Sequence, residues 1–204
     1  MKYRHWLTGL IFSISSSAIS ADKPSFETYV ENLKTEAVEK GFEQSFVDEH
    51  LSNLTYLKRA VKADKNQPEF KETLDTYLPK RVPEWKIKRA RAAYKDNLPL
   101  LKKIGKQFGV QPRFIVSLWA LETNFGKIQG KMPIIDSIAT LTYEGRREAF
   151  FKKQLFASLK ILEEGHIAKD KFVGSWAGAM GQCQFMPTSF LAYAADGDGD
   201  GKKD

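Results

Sequence analysis

Pro112-Arg-Phe-Ile-Val-Ser-Leu-Trp-Ala-Leu-Glu-Thr-Asn-Phe-Gly126 is the stretch on which the fold turns. Proline costs no hydrogen bond at the first helical position, and from Phe114 to Leu121 only Ser117 is not apolar. The spacing predicts a helix buried on nearly every side and stopped at Gly126. Glu122 falls at its C-terminal end, where the negative pole of the backbone dipole disfavours ionisation. Leu118 and Trp119 one turn earlier and Phe125 one turn later predict a low-dielectric setting, which also raises a carboxyl pKa. An acid kept protonated near neutral pH can donate a proton to a glycosidic oxygen. On position alone, a Glu at a helix end that meets a basic partner is the simpler account.

Helical periodicity extends to both sides of this segment. Phe26, Tyr29, Val30, Leu33, Ala37 and Val38 predict one helix, closed by Gly41, and Phe42, Phe46, Val47 and Leu51 predict a second. Lys62–Pro68 reads as a loop, and Pro79 and Pro83 bracket a further break. From Val82 to Gly109 an apolar stripe (Ile87, Ala90, Tyr94, Leu98, Leu101, Ile104) runs among many Lys and Arg residues. Those cations read as a solvated face, with ligand binding as the lesser reading. Downstream, Ile134–Leu141 and Arg147–Glu164 predict two helices, the second with Phe150, Phe151, Leu155, Leu159 and Leu162 turned inward and Gly165 at its end. The class is therefore mainly α, with a helical N-terminal section over residues 21–111 and a helical catalytic core over residues 112–204.

Lys2 and Arg4 precede an apolar run from Trp6 to Ser15, and small residues follow as far as Ala18-Ile-Ser20. This order predicts a cleaved export signal over residues 1–20 and a periplasmic, soluble mature chain. The run is too short for a transmembrane anchor, and no cysteine follows it to carry a lipid. Cys183 is the only cysteine, so no intramolecular disulfide forms and the thiol reads as a small packing residue. The formal charge of +7 falls to +5 without Lys2 and Arg4. Export argues against nucleic acid as the anionic partner and favours a cell-wall polymer carrying carboxylates.

Three segments carry a family resemblance. Trp119-Ala-Leu-Glu-Thr-Asn-Phe-Gly126 resembles the Glu-Thr-x-x-Gly motif of lysozyme-like lytic transglycosylases. Gly174-Ser-Trp-Ala-Gly-Ala-Met-Gly-Gln-Cys-Gln-Phe-Met-Pro187 narrows the likeness to the lytic murein transglycosylase B family, and Ala139-Thr-Leu-Thr-Tyr-Glu-Gly-Arg-Arg147 is similar to it as well. Gln67-Pro-Glu-Phe70 adds a shorter match. Ala120 stands where the family pattern has Gly, and Cys183 occupies a variable position. The resemblance implies a lysozyme-like core that cleaves the MurNAc-GlcNAc β-1,4 bond of peptidoglycan strands. It implies Glu122 as the single acid/base, Ser175 hydrogen-bonded to Glu122, and Gln184 on the glycan. Small residues in Gly174–Pro187 let backbone approach a sugar, and Met180, Phe185 and Met186 are suited to the apolar faces of rings. Small residues packing a helix pair are the plainer explanation of the same pattern.

Most glycosidases use two carboxylates, and no second one is obvious here, with Asp136 and Glu144 left open. In the family's chemistry Glu122 protonates the leaving oxygen and the substrate's N-acetyl carbonyl stabilises the anomeric cation. Glu122 then takes the proton of the muramoyl 6-hydroxyl, which closes a 1,6-anhydro ring. No cofactor is required. Asp196, Asp198 and Asp200 occupy positions 1, 3 and 5 of an EF-hand-like loop, with Gly201 at the turn, Lys202 at the carbonyl position and Asp204 at position 9. A complete ligand set is not present in the sequence, so a structural Ca²⁺ bound weakly is expected, and a flexible acidic tail is the alternative. Family members continue past this loop, so a truncated core is also expected. A hydrolytic muramidase and a catalytically impaired wall-binding module are the rival functions, and other cell-wall enzymes are the expected protein partners. His50 and His166 lack ligand partners at metal spacing, and Trp85 and Trp176 are expected in the core more than on sugars.

Overall fold

The computed structural model describes residues 23–66 and 73–203. The export signal expected over residues 1–20, the Gln67–Phe70 motif and Asp204 lie outside the described residues. The described chain is mainly helical, running α1 (Phe26–Glu39), α2 (Gln44–Leu51), α3 (Lys58–Lys65), α4 (Leu74–Arg81), α5 (Glu84–Asp96), α6 (Leu98–Phe108) and α7 (Pro112–Thr123). Then come β1 (Met132–Pro133), α8 (Ile134–Glu144), α9 (Glu148–Glu163), a single 3₁₀ turn at Lys169–Lys171, β2 (Val173–Gly174) and α10 (Pro187–Tyr193).

The hydrophobic core joins α1–α3 to α8–α10, so it crosses the boundary expected at Pro112. Val30, Leu33 and Ala37 of α1 meet Ile134, Ile138 and Leu141 of α8 and Phe151, Leu155 and Leu159 of α9. Burying each such aliphatic side chain contributes about 1.5–3 kcal/mol, which is why this half is held by packing. Phe150 is the exception to the inner stripe expected of α9, since it is exposed while Phe151 next to it is buried. Ser25 caps α1 by accepting the Thr28 N–H at 3.2 Å.

Polar ties reinforce the same half. Asp64, buried on α3, accepts from Arg146 Nε at 2.6 Å and from Arg146 and Arg147 guanidinium nitrogens at 2.7 Å. Arg146 first, and then Arg147, hold its carboxyl below the usual carboxylate range. Lys62–Lys65, expected in a loop, therefore belong to α3, because this contact fixes its last turn against the α8–α9 corner.

Helices α4–α7 form a second, looser group. Pro79, expected to break the chain, sits inside α4, which forgoes one intrahelical bond there and continues to Arg81. The segment from Val82 to Gly109 divides at Asn97, because Pro99 has no N–H to give to Lys95. Only Leu101 and Gly105 are buried on α5 and α6 together. The nearly complete burial expected of α7 is also not found: Val116, Ala120 and Thr123 are buried, but Phe114, Leu118 and Leu121 are 51%, 58% and 48% exposed. Its partners, α5 and α6, cover one face of α7 only.

Candidate active site

Glu122 lies in the last turn of α7, solvent-exposed, with no hydrogen bond or ion pair to any described residue. The apolar enclosure expected around it is absent, because Leu118 one turn earlier opens to solvent. What the structure supplies instead is a rigid helix end. Asn124, Phe125 and Gly126 all adopt left-handed backbone, with φ of 51°, 61° and 76°. For the two non-glycine residues this costs about 1–2 kcal/mol each, so the surrounding contacts must enforce it. Phe125 N–H donates to the Trp119 carbonyl at 3.1 Å and Ile128 N–H to that of Thr123 at 2.9 Å. The Trp119 and Phe125 rings meet edge to face at 5.4 Å.

Thr123 ties this end to the segment that carries the second motif. Its buried hydroxyl donates to the Gln182 carbonyl at 2.9 Å and accepts the Gly126 N–H at 3.0 Å. The Gln182 side-chain oxygen accepts the Trp119 indole N–H at 2.7 Å. A Cβ on Gly126 would lie 2.5 Å from that oxygen, so the clamp closes only over glycine. Thr123 and Gln182 both lie inside the family motifs, yet the sequence assigned neither a role. A Thr three residues before the helix-ending Gly suggests a capping hydroxyl, but its pairing with Gln182, 59 residues away, has no sequence signal.

The Gly174–Pro187 segment is a small hairpin rather than a helix pair. Antiparallel β1 and β2 set Met132 opposite Gly174, and isolated bridges join Gly174 to Met180 and Met180 to Phe185. A Cβ on Gly130 would strike the Gly174 carbonyl, so the two strands meet at that point through glycine. Met180, expected to line sugar rings, is buried in the core; paired on both sides within the hairpin, it faces inward. Ser175 Oγ accepts the Ala177 N–H at 3.3 Å and the Ala179 N–H at 3.0 Å. The hydrogen bond expected between Ser175 and Glu122 is absent, which leaves the Ser175 proton free for another acceptor. Gln184 adopts left-handed backbone, φ 51°, and its amide nitrogen donates to the carbonyls of Gln129 and Gly181 at 3.1 and 3.0 Å. Its side-chain oxygen remains available.

The other acids are committed elsewhere. Asp136 accepts the Thr55 N–H at 2.8 Å, and Glu144 accepts the Tyr56 hydroxyl at 2.6 Å with Lys23 and Lys65 nearby. Burial, with Glu144 beside it, pushes the Tyr56 hydroxyl up to about 12. His50 is buried against the Phe46 carbonyl, and His166 meets Glu164 and the Lys203 N–H. Cys183, expected in packing, is exposed on the hairpin; partial desolvation and then the Glu122 charge raise its thiol pKa. Trp85, expected in the core, is 54% exposed, while Trp176 packs against the core as expected.

Asp196, Asp198 and Asp200 bring carboxylate oxygens within 4.8 Å of one another. Asp196 accepts the N–H groups of Gly199, Asp200 and Gly201, and those bonds, Gly201 first, hold it below its usual range. Three converging hard-oxygen ligands fit a divalent cation such as calcium, while Asp204 lies outside the described residues.

An unpaired acid on a clamped helix end beside a glycine-rich hairpin, set on a mainly helical core, is the arrangement expected of a lysozyme-like fold. Solved structures agree. SltB3 from Pseudomonas aeruginosa, solved in complex with NAG-NAM-pentapeptide, is similar at 36% identity and a TM-score of 0.82, over 88% of this chain and 48% of that one. Slt35 from Escherichia coli, solved in complex with calcium, is similar at 29% identity and a TM-score of 0.76, over 86% of this chain and 57% of its own. Among curated proteins, membrane-bound lytic murein transglycosylase B of Escherichia coli (strain K12) is 38% identical over 102 residues, 50% of this chain and 28% of the relative. The model of the transglycosylase SLT domain matches residues 25–204, and the chain belongs to that family. It spans 48% of the length of SltB3, 57% of that of Slt35 and 28% of that of the curated relative.

Proposed function

We propose that this chain is a lytic murein transglycosylase that cuts the MurNAc-GlcNAc β-1,4 bond of peptidoglycan and leaves 1,6-anhydromuramoyl ends, with Glu122 as its only acid/base. The observation that carries this is the isolation of Glu122. Its carboxyl is unpaired beside the hairpin, while Asp136 and Glu144 are held by Thr55 and Tyr56. A two-carboxylate hydrolysis needs a second free acid facing the same bond. With one acid, Glu122 protonates the leaving oxygen while the substrate's N-acetyl carbonyl stabilises the cation. The resulting carboxylate takes the proton of the 6-hydroxyl as the ring closes, so the acid is restored and no water is consumed. The Ser175 proton and the Gln184 side-chain oxygen are suited to sugar hydroxyl and N-acetyl groups. SltB3 has also been solved in complex with NAG-anhNAM-pentapeptide, which supports the anhydro product for this chain.

The same proposal places the chain in the periplasm, with peptidoglycan strands as substrate and other cell-wall enzymes as partners. Among the described residues no helix is long and apolar enough to cross a membrane. Asp196, Asp198 and Asp200 would hold a Ca²⁺ that braces the loop, with an affinity near 10⁻⁴ M or weaker for so few charged ligands, about the range of weak extracellular modules. Digestion of purified sacculi followed by mass spectrometry tests the function. Muropeptides with the anhydro ring are expected, and reducing ends that carry an added water would make the enzyme a muramidase instead.

A further inference from the structure

Between Lys80 and Arg113 lie eleven of the chain's 32 Lys and Arg residues but only two of its 25 Asp and Glu, in a chain whose total charge is +7. The positive excess of the whole protein is therefore concentrated on α5, α6 and the start of α7. Lys80 aside, none of these cations has a carboxylate partner among the described residues. Four of them lie over aromatic rings instead: Arg81 on Tyr77, Lys86 on Trp85, Arg89 on Phe125 and Arg113 on Phe114.

Large apolar side chains stand exposed among these charges. Leu74, Leu78, Val82 and Trp85 form a stripe across α4 into α5, two helices with no buried residue. Leu100 and Phe108 are also exposed, on α6. A groove of about 610 Å³ between α5 and α7 is lined by the apolar Ile87, Val116 and Leu121 together with Lys86, Arg91 and Arg113. Exposed leucine and tryptophan interleaved with unpaired cations is the pattern of a surface that lies in an anionic lipid interface. A polyanion such as nucleic acid or a carboxylated glycan would satisfy the cations but leave the apolar stripe wet. An acidic helix would fill the groove but leave α4 and α6 uncovered.

We propose that the α4–α6 face docks on an anionic phospholipid membrane, with the apolar stripe at the acyl boundary, the cations at the phosphates and the groove taking an acyl chain. At 100° per residue, Ala120 on the groove side and Glu122 stand on opposite sides of α7, so docking turns the acid away from the lipid. The proposal does not depend on the catalytic reading, since lipid binding is measured without turnover.

The test is co-sedimentation of the full chain with vesicles of phosphatidylcholine alone and of phosphatidylcholine mixed with phosphatidylglycerol. The parent is compared with the triple variant Lys88→Glu, Arg91→Glu, Lys95→Glu and with the double variant Leu78→Ser, Trp85→Ser. These positions are exposed, and circular dichroism confirms that each variant folds. The residues before Lys23 are the same in every protein, so differences between proteins report on α4 and α5. Binding to the anionic vesicles only, weakened by salt and reduced about a hundredfold or more by the triple variant, is expected from the loss of three surface cations. The double variant is expected to bind less as well. Equal binding by parent and triple variant overturns the proposal. So does failure of the parent to bind at low salt, or self-association or capture of an acidic peptide by this face without lipid binding.

Discussion

The half of the molecule built from α1–α3 and α8–α10 and the half built from α4–α7 use similar residues to opposite ends. In the first, leucines and isoleucines are buried, and ion pairs such as Lys34 with Asp48 and Asp64 with Arg146 and Arg147 tie its helices together. In the second, leucines such as Leu74, Leu78, Leu100 and Leu118 are exposed, and the cations of α5 and α6 have no carboxylate partner among the described residues. Glu122 sits where the two meet, on a helix that belongs to the looser half but whose end is fixed to the hairpin of the tighter one. Stability is held in one half, and the unsatisfied chemistry is kept in the other.

The largest effect expected from that contrast is on stability. Leu155→Ala, in the core of α9, should cost about 2–5 kcal/mol, and Leu100→Ala, 55% exposed on α6, should stay within about 0.5 kcal/mol. Urea unfolding of both variants measures it, and similar losses would erase the distinction between the halves.

Asp64→Asn should follow. The change removes a buried carboxylate that ties α3 to Arg146 and Arg147, at a cost of about 2–3 kcal/mol because both arginines are themselves half-exposed. It also sharpens the comparison through pH. Asp64 is depressed in the folded state, so its contribution is fully present above the unfolded value of about 3.9 and is lost as pH falls through the lower folded value. Thermal melts from pH 5 down to pH 2 should fall more steeply for the parent than for Asp64→Asn.

A smaller change is expected where the halves join. Gln182→Ala removes the acceptor of the Trp119 indole and should cost about 1 kcal/mol of stability, with turnover reduced more than substrate affinity. Trp119→Phe should do much the same, and the double variant should be little worse than either alone, because both delete one bond. Full additivity would mean that the two side chains act separately.

The tighter half was largely legible in the sequence. Val30, Leu33 and Ala37, and Leu155, Leu159 and Leu162, announce their buried faces by spacing alone. The looser half was not. The apolar run from Phe114 to Leu121 reads as buried, yet periodicity records only what a helix could bury and not which neighbours cover it. Lys62–Lys65 looked like a loop because the Asp64 contact with Arg146 spans 82 residues. At the site, Glu122 was found from its motif and stands at the helix end as expected, but the enclosing side chains do not. Met180 was misplaced because a residue paired on both sides of a hairpin is hidden by backbone geometry that composition does not reveal.

Turnover of purified sacculi by Glu122→Gln against the parent tests the central claim most directly. The substitution keeps shape and hydrogen-bonding capacity but removes the transferable proton at an exposed, otherwise unpaired position. The account predicts that release of anhydromuropeptides falls by a factor of about 10² or more while the melting temperature and sacculus binding stay unchanged. Anhydro product released by the variant at more than about one hundredth of the parent rate would show that another group carries the proton, and the single-acid account would be wrong.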